Sequence, residues 1–112
     1  MNYKVGTDII KNSRMTADIA KRILVSGEIE RFNAISDENE KMIFAASRWA
    51  AKEAVVKASD KKIIFSEIEV FNSDTGRPFV KINGETANNI DISISHENDY
   101  SLAFCIIKES II

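Results

Sequence analysis

Asp37-Glu38-Asn39-Glu40-Lys41-Met42-Ile43-Phe44-Ala45-Ala46-Ser47-Arg48-Trp49-Ala50-Ala51-Lys52-Glu53-Ala54-Val55-Val56-Lys57-Ala58 contains neither glycine nor proline and is rich in alanine. Alanine is the residue that loses least on entering a helix. Asp37 can accept a hydrogen bond from the free N–H groups of a first turn, and Glu40, three positions on, completes a capping-box pattern. The segment predicts one long helix to about Ala58, with Met42, Ala46, Trp49, Ala50 and Val56 spaced to face the core.

The elements on either side of this helix decide the fold class. Before it, Tyr3 to Ile10 predicts a strand that ends near Asp8. Thr16 to Val25, with Ile19, Ile23 and Leu24 set around Lys21 and Arg22, predicts a short amphipathic helix stopped by Gly27. Glu28 to Ser36 reads as a turn or short helix with Ile29 and Phe32 inward. After Asp60-Lys61-Lys62 the pattern turns to β. Ile63-Ile64-Phe65 leads into Ile68-Glu69-Val70-Phe71, and Asn72-Ser73-Asp74-Thr75-Gly76 is a turn cluster. Arg77 to Ile82 returns as a strand, with Pro78 confined to its start or to an edge. Asn83-Gly84 is a turn, and Glu85 to Asn89 another turn or short helix. Ile90, Ile92 and Ile94 alternate with polar residues, and Tyr100 to Ile107 follows the Glu97-Asn98-Asp99 turn as the last strand. Short connections among the late strands favour an antiparallel meander packed on the long helix. That is an α+β fold in one domain over residues 1–112.

A chain of 112 residues buries a limited core, and oligomerisation is one way to bury more. Its formal net charge of −2, from 15 basic and 17 acidic residues, excludes a nucleic-acid binder that works through bulk charge. No apolar run approaches the ~20 residues of a membrane span, and Met1 to Asp8 has no apolar signal-peptide core. A cytoplasmic location is expected. The one cysteine, Cys105, lies in an apolar run and reads as a core residue. Without paired Cys/His spacing no zinc site is expected. Charge is uneven: residues 1–31 carry six basic against four acidic side chains, and residues 58–112 five against nine. The basic first third is either a solvated helix surface or a face for an acidic partner.

Glu53 is the most informative residue. At about 100° per residue from Trp49, Ala46 falls near 60°, Glu53 near 40° and Val56 near −20°. A carboxylate thus lies within the expected apolar arc, where it needs a cation, a metal or a proton. Lys57, one turn on, can supply an ion pair; a metal is the other reading. Asp8, at the expected end of the first strand, is either a turn residue or a second carboxylate for the same ion. Two protein oxygens, completed by water and phosphate, suit Mg2+. His96 follows Ser93-Ile94-Ser95 before a turn, and Gly76-Arg77-Pro78 is a hairpin turn whose arginine can also reach a phosphate. No Walker loop and no Gly-x-Gly-x-x-Gly occurs.

Taken together the motifs are familiar. Val5-Gly6-Thr7-Asp8-Ile9 with Arg14, the helix run Arg48 to Ala58, Ile68-Glu69-Val70 with Gly76-Arg77-Pro78, and Ile92-Ser93-Ile94-Ser95-His96-Glu97 with Tyr100-Ser101-Leu102-Ala103 resemble the holo-(acyl carrier protein) synthases of the 4′-phosphopantetheinyl transferase superfamily. The match runs from near residue 4 to near residue 107. The resemblance implies a curved antiparallel sheet packed against a long central helix, and a homotrimer with active sites at subunit interfaces. It implies Mg2+ held by Asp8 and Glu53, and transfer of phosphopantetheine from coenzyme A to a serine of acyl carrier protein, releasing 3′,5′-ADP. Asp8, Glu53 and Lys57 become the expected catalytic residues. Arg48, Lys57, Gly76, Arg77, Pro78, Ser95 and His96 become candidates for coenzyme A. Arg14, Lys21 and Arg22 become candidates for docking the acidic carrier.

Two departures from the family pattern stand out. Ala58-Ser59-Asp60-Lys61-Lys62 is shorter than the usual loop and lacks glycine, which bears on how the adenosine end is held. Gly76-Arg77-Pro78 replaces the common Gly-Lys-Pro, which keeps the charge but not the shape. Two rival functions remain at this level: a non-catalytic domain of the same fold that binds coenzyme A or a carrier, and a different Mg2+-dependent phosphate enzyme.

Overall fold

Gly6 decides how close the first strand comes to the long helix. A Cβ at this position would collide with the Ala54 carbonyl oxygen and lie 2.8 Å from the Ala58 nitrogen. Glycine is therefore required where β1 (Asn2–Lys11) crosses α3 (Glu38–Ala58). Ala54 and Ala58 serve the same contact, and both are buried. Small residues on both sides let strand and helix meet main chain to main chain. The structure, a computed structural model, describes residues 2–109; Met1 and residues 110–112 lie outside it.

Between these two elements run a 3-10 turn at Asn12–Arg14, helix α1 (Ala17–Ile23) and helix α2 (Ser26–Ala34). After α3 come a 3-10 turn at Phe65–Glu67 and strands β2 (Ile68–Asn72), β3 (Pro78–Ile82), β4 (Glu85–Thr86), β5 (Ile90–His96) and β6 (Tyr100–Glu109). The fold is α+β and antiparallel. Its strands form two sheets, in the orders β1-β6-β5 and β2-β3-β4. The long-range pairing of β1 with β6 runs from Asn2↔Glu109 to Lys11↔Tyr100, so the strands are not one sequential meander.

Several elements differ from their sequence reading. Strand β1 continues past Asp8 because its pairing with β6 continues to Lys11, which places Asp8 inside a strand. Glu85 and Thr86 form β4 because Asn83 and Gly84 both take positive φ, 52° and 83°, and so turn the chain back on β3 as a two-residue hairpin. Gly27 lies within α2 and stops nothing. Helix α1 ends at Ile23 instead, where polar groups take over: the Ile23 carbonyl accepts from Lys52 at 2.7 Å and the Val25 N–H donates to Glu28 at 3.0 Å.

The orientation of α3 also differs. Its wholly buried side is the alanine side, while Met42, Trp49, Glu53 and Val56 are only half-buried. Trp49 packs edge-on against Phe65, centroids 5.2 Å apart. Asp37 caps the helix as expected, accepting from the Glu40 N–H at 2.9 Å. Cys105 is fully buried in the central strand β6. Burial, with the Asp91 charge adding, pushes its thiol up to about 11, which removes it as a nucleophile at neutral pH. No helix among the described residues is long and apolar enough to cross a membrane.

Candidate active site

Side chains of β1 alternate, so Gly6, Asp8 and Ile10 turn toward α3 while Val5, Thr7 and Ile9 turn away. On α3, Glu53 and Lys57 lie one turn apart at the half-open side. The close crossing at Gly6 brings the two elements' acids together. Asp8 and Glu53 line one cleft, with Arg14 at its edge and Met15, Ile19 and Trp49 as an apolar wall.

Lys57 pairs with Asp8, not with Glu53. Its ammonium lies 3.0 Å from Asp8 Oδ1 and donates to the Thr7 carbonyl at 3.1 Å. The ion pair that helix spacing allows between Lys57 and Glu53 is therefore absent, and among the described residues no cation pairs with Glu53. Burial, and then the neighbouring Asp8 charge, raise the Glu53 carboxyl above its usual range, with Lys57 pulling it back. Two carboxylates beside one ammonium, which pairs with Asp8 alone, leave an excess of negative charge at a half-open cleft. That donor set, all oxygen, fits a hard divalent cation such as Mg2+, which keeps several ligands of its own from water or phosphate. Among the described residues no third acid, histidine or cysteine joins the pair.

The remaining candidates do not gather at this cleft within one chain. Arg48 and His96 line a second cleft, together with Phe44 and Ser47. Arg48 is only 7% exposed; it donates to Asn72 Oδ1 at 2.6 Å and stacks over the Phe44 ring at 4.2 Å. Burial pushes its guanidinium down to about 10, opposed by Glu28. Asn72 in turn donates to the Gly76 carbonyl at 2.9 Å. Arg48 thus braces the turn that presents Arg77. Gly76 takes φ 88°, a value that favours glycine. Arg77 is exposed, 3.8 Å from Asp91, and shares a third depression with Pro78. Ser95 lies opposite Leu102 on the exposed face of the β1-β6-β5 sheet, and His96 opposite Ser101 at its end. Lys21 and Arg22 are exposed on α1, whose Ile19 borders the Asp8–Glu53 cleft.

Two polar groupings escaped the sequence reading. Asn12 is buried where β1 ends and holds the β5–β6 turn: its Nδ2 donates to the Glu97 and Asn98 carbonyls at 2.8 and 3.1 Å, and its Oδ1 accepts from Ser101 at 2.7 Å. An asparagine after an alternating strand gives no signal of so distant a partner. Glu28 and Lys52 form a fully buried ion pair at 2.6 Å. Burial lowers the Lys52 pKa, and Glu28 opposes that shift. Lys52 had a detectable sign, a charge among alanines on the same helix as Glu53, but its partner could not be chosen from sequence.

The chain is thus an α+β domain of two antiparallel sheets and one long helix, with two carboxylates meeting where β1 crosses α3. Residues 4–105 match the family model of the 4′-phosphopantetheinyl transferase superfamily, and the chain belongs to this family. It is 39% identical to the holo-[acyl-carrier-protein] synthase of Oceanobacillus iheyensis over 113 residues, covering 93% of this chain and 94% of that protein. It is 30% identical to the synthase of Staphylococcus aureus strain Newman, covering 98% of each. The crystal structure of the Bacillus anthracis synthase, a complex with CoA (3′,5′-ADP), superposes with a TM-score of 0.81 at 30% identity over 96% of each chain. That of Neisseria meningitidis superposes with a TM-score of 0.79 at 26% identity, over 95% of this chain and 98% of its own.

Proposed function

We propose that this chain is an enzyme that transfers 4′-phosphopantetheine from coenzyme A to a serine of apo-acyl carrier protein, releasing 3′,5′-ADP. The observation that carries the reading is the meeting of Asp8 and Glu53, distant along the chain, in one cleft beside Arg14. Mg2+ held by Asp8 and Glu53 would offset charge on the coenzyme A diphosphate as it breaks.

The protein's own groups do the rest. The attacking serine hydroxyl forms a bond to the β-phosphorus as the bond to the bridging oxygen breaks, and its proton goes to Asp8 or to a water that Asp8 or Glu53 holds. Lys57, already tethered to Asp8 Oδ1, directs an ammonium at the phosphate oxygens. The apolar wall of Met15, Ile19 and Trp49 limits water beside the reacting atoms. Arg14, Lys21 and Arg22 form a basic edge for the acidic carrier protein.

Assembly as a homotrimer belongs to the same reading. The outer face of the β1-β6-β5 sheet exposes Val5 (61%), Ile9 (61%), Leu102 (42%) and Phe104 (43%). Ile9 stands opposite Leu102, and Val5 opposite Ile106. A contiguous apolar patch of this kind marks a contact between proteins, and a closed ring of copies is one way to cover it. Sites shared between subunits would also bring the separated phosphate candidates, Arg48, Arg77, Pro78, Gly76, Ser95 and His96, to bear on one coenzyme A.

The test is to mix the protein with apo-acyl carrier protein, coenzyme A and Mg2+ and to weigh the carrier by mass spectrometry. Gain of the phosphopantetheine mass, with 3′,5′-ADP appearing in equal amount, is the expected result. An unmodified carrier with coenzyme A bound would indicate a binding domain, and phosphate release without a modified carrier a hydrolase.

A further inference from the structure

Glu28 and Lys52 are joined by an ion pair with no solvent exposure, Nζ to Oε1 2.6 Å, and neither takes part in the chemistry above. All three ammonium donors are used: besides Glu28, Lys52 donates to the Ile23 carbonyl at 2.7 Å and the Phe65 carbonyl at 3.4 Å. The carboxylate in turn accepts from the Val25 N–H at 3.0 Å and the Val70 N–H at 2.8 Å. One pair therefore ties together the end of α1, the start of α2, the middle of α3 and strand β2. Lys52 directly precedes Glu53, and Ile23 ends the helix that carries Lys21 and Arg22.

Buried opposite charges are a costly way to hold a core, since apolar residues of similar volume do as well or better. What they add is direction, because hydrogen bonds to charged groups fix angle and distance where apolar packing does not. Helix α1 has need of that. It is seven residues long, and only Ala20 and Ile23 of it are buried. So small an apolar face leaves a two-turn helix free to slide or rotate on its neighbour.

We propose that the Glu28–Lys52 pair positions α1 at a fixed offset from the Asp8–Glu53 cleft, so that a carrier can bind α1 only when its serine also reaches the site. Both are positioning residues, acting through the Ile23 carbonyl and the Leu24-Val25 corner. The inference rests on the transfer reaction proposed above and on α1 as the carrier-facing element.

The test uses the whole chain with apo-acyl carrier protein, coenzyme A and Mg2+. Lys52→Met leaves Glu28 buried without its partner. The double variant Glu28→Gln with Lys52→Met removes both charges and keeps an acceptor for one backbone N–H. In either variant that folds, KM for the carrier rises about tenfold while KM for coenzyme A stays within about twofold. Simple destabilisation reduces the active fraction, and so the apparent kcat, with both KM values unmoved. That outcome overturns the proposal, as does an equal rise in both. Amide exchange in the wild type gives a readout independent of any variant. The Leu24 and Val25 amides should exchange as slowly as those of Ala50 and Ala54, and exchange at the rate of an open loop also overturns it. A wild-type protein that transfers nothing counts against the function itself, while exchange still reports on the corner.

Discussion

Lys57 Nζ lies 3.0 Å from Asp8 Oδ1, so a helix cation one turn from Glu53 serves a carboxylate on the neighbouring strand. The site keeps one acid paired and one unpaired before any ligand arrives. In the proposed reaction Lys57 would have two opposed effects, assisting a phosphate and repelling a metal. Lys57→Met should lower the transfer rate by about 100-fold or more, and should also lower the Mg2+ concentration at half-maximal rate. Initial rates over a Mg2+ titration check both, and an unchanged Mg2+ requirement would argue against a shared site.

Glu53 gives a pH-dependent prediction. Burial and then Asp8 raise its carboxyl. Between its ordinary and its raised pKa the folded chain holds a proton that the unfolded chain has released, so this group weakens folding as pH climbs through that window. Without metal at neutral pH, Glu53→Gln should therefore melt higher than wild type by about 1–3 °C, a modest figure because the side chain stays partly hydrated. The gain should shrink toward about pH 4, below the ordinary glutamate pKa. Transfer by the same variant, and by Asp8→Asn, should fall by about 100-fold or more with the fold retained by circular dichroism. A Glu53→Gln protein that melts lower than wild type would remove the electrostatic argument.

Gly6→Ala forces a methyl group into the Ala54 carbonyl and the Ala58 nitrogen. Neither is the end of a flexible side chain, so the helix itself must move. We expect a loss of about 3 kcal/mol, seen as a lower urea midpoint with the slope unchanged. A midpoint equal to wild type would show that the crossing has slack.

Arg14→Glu places a negative charge at the rim of the Asp8–Glu53 cleft. The acidic carrier should bind about tenfold more weakly and coenzyme A almost as before. Parallel titrations of the two ligands decide this, and equal losses would mean that Arg14 belongs to the nucleotide.

Phe104→Asp charges the centre of the exposed sheet face, opposite Thr7 on one side and Ser93 on the other. Sedimentation should then give a monomer where the wild type gives a trimer. A monomeric wild type would dispose of the assembly.

The fold was legible in its strongest periodicities and misread where distant groups intervened. Asp37 and the alanine-rich run located α3 almost to the residue, and the Ile90-Ile92-Ile94 alternation located β5. The helical period puts Met42, Ala46, Trp49, Ala50 and Val56 together, and of these only the two alanines are fully buried. Ala54 and Ala58 pack inward since the strand beside them carries Gly6, and Trp49 is left half-open. Gly27 is the local signal for the end of α1, but the groups that meet the chain where α1 ends are Lys52 from α3 and Glu28 from α2. Spacing leaves Asp8 and Glu53 with two readings each, and it is the resemblance to the family that joins them at one ion. That Lys57 takes Asp8 is a fact of three dimensions that no helical wheel contains.

At Gly6 no side chain lies between strand and helix, and this has a bearing on how the protein can vary. Surfaces elsewhere can absorb exchange through rotamers and small shifts. Here any added atom displaces α3 bodily, carrying Glu53, Lys57 and Arg48 with it. The gap between the two acids is thus inherited as a dimension of the main chain, and mutational drift is steered toward the outer skin of the molecule.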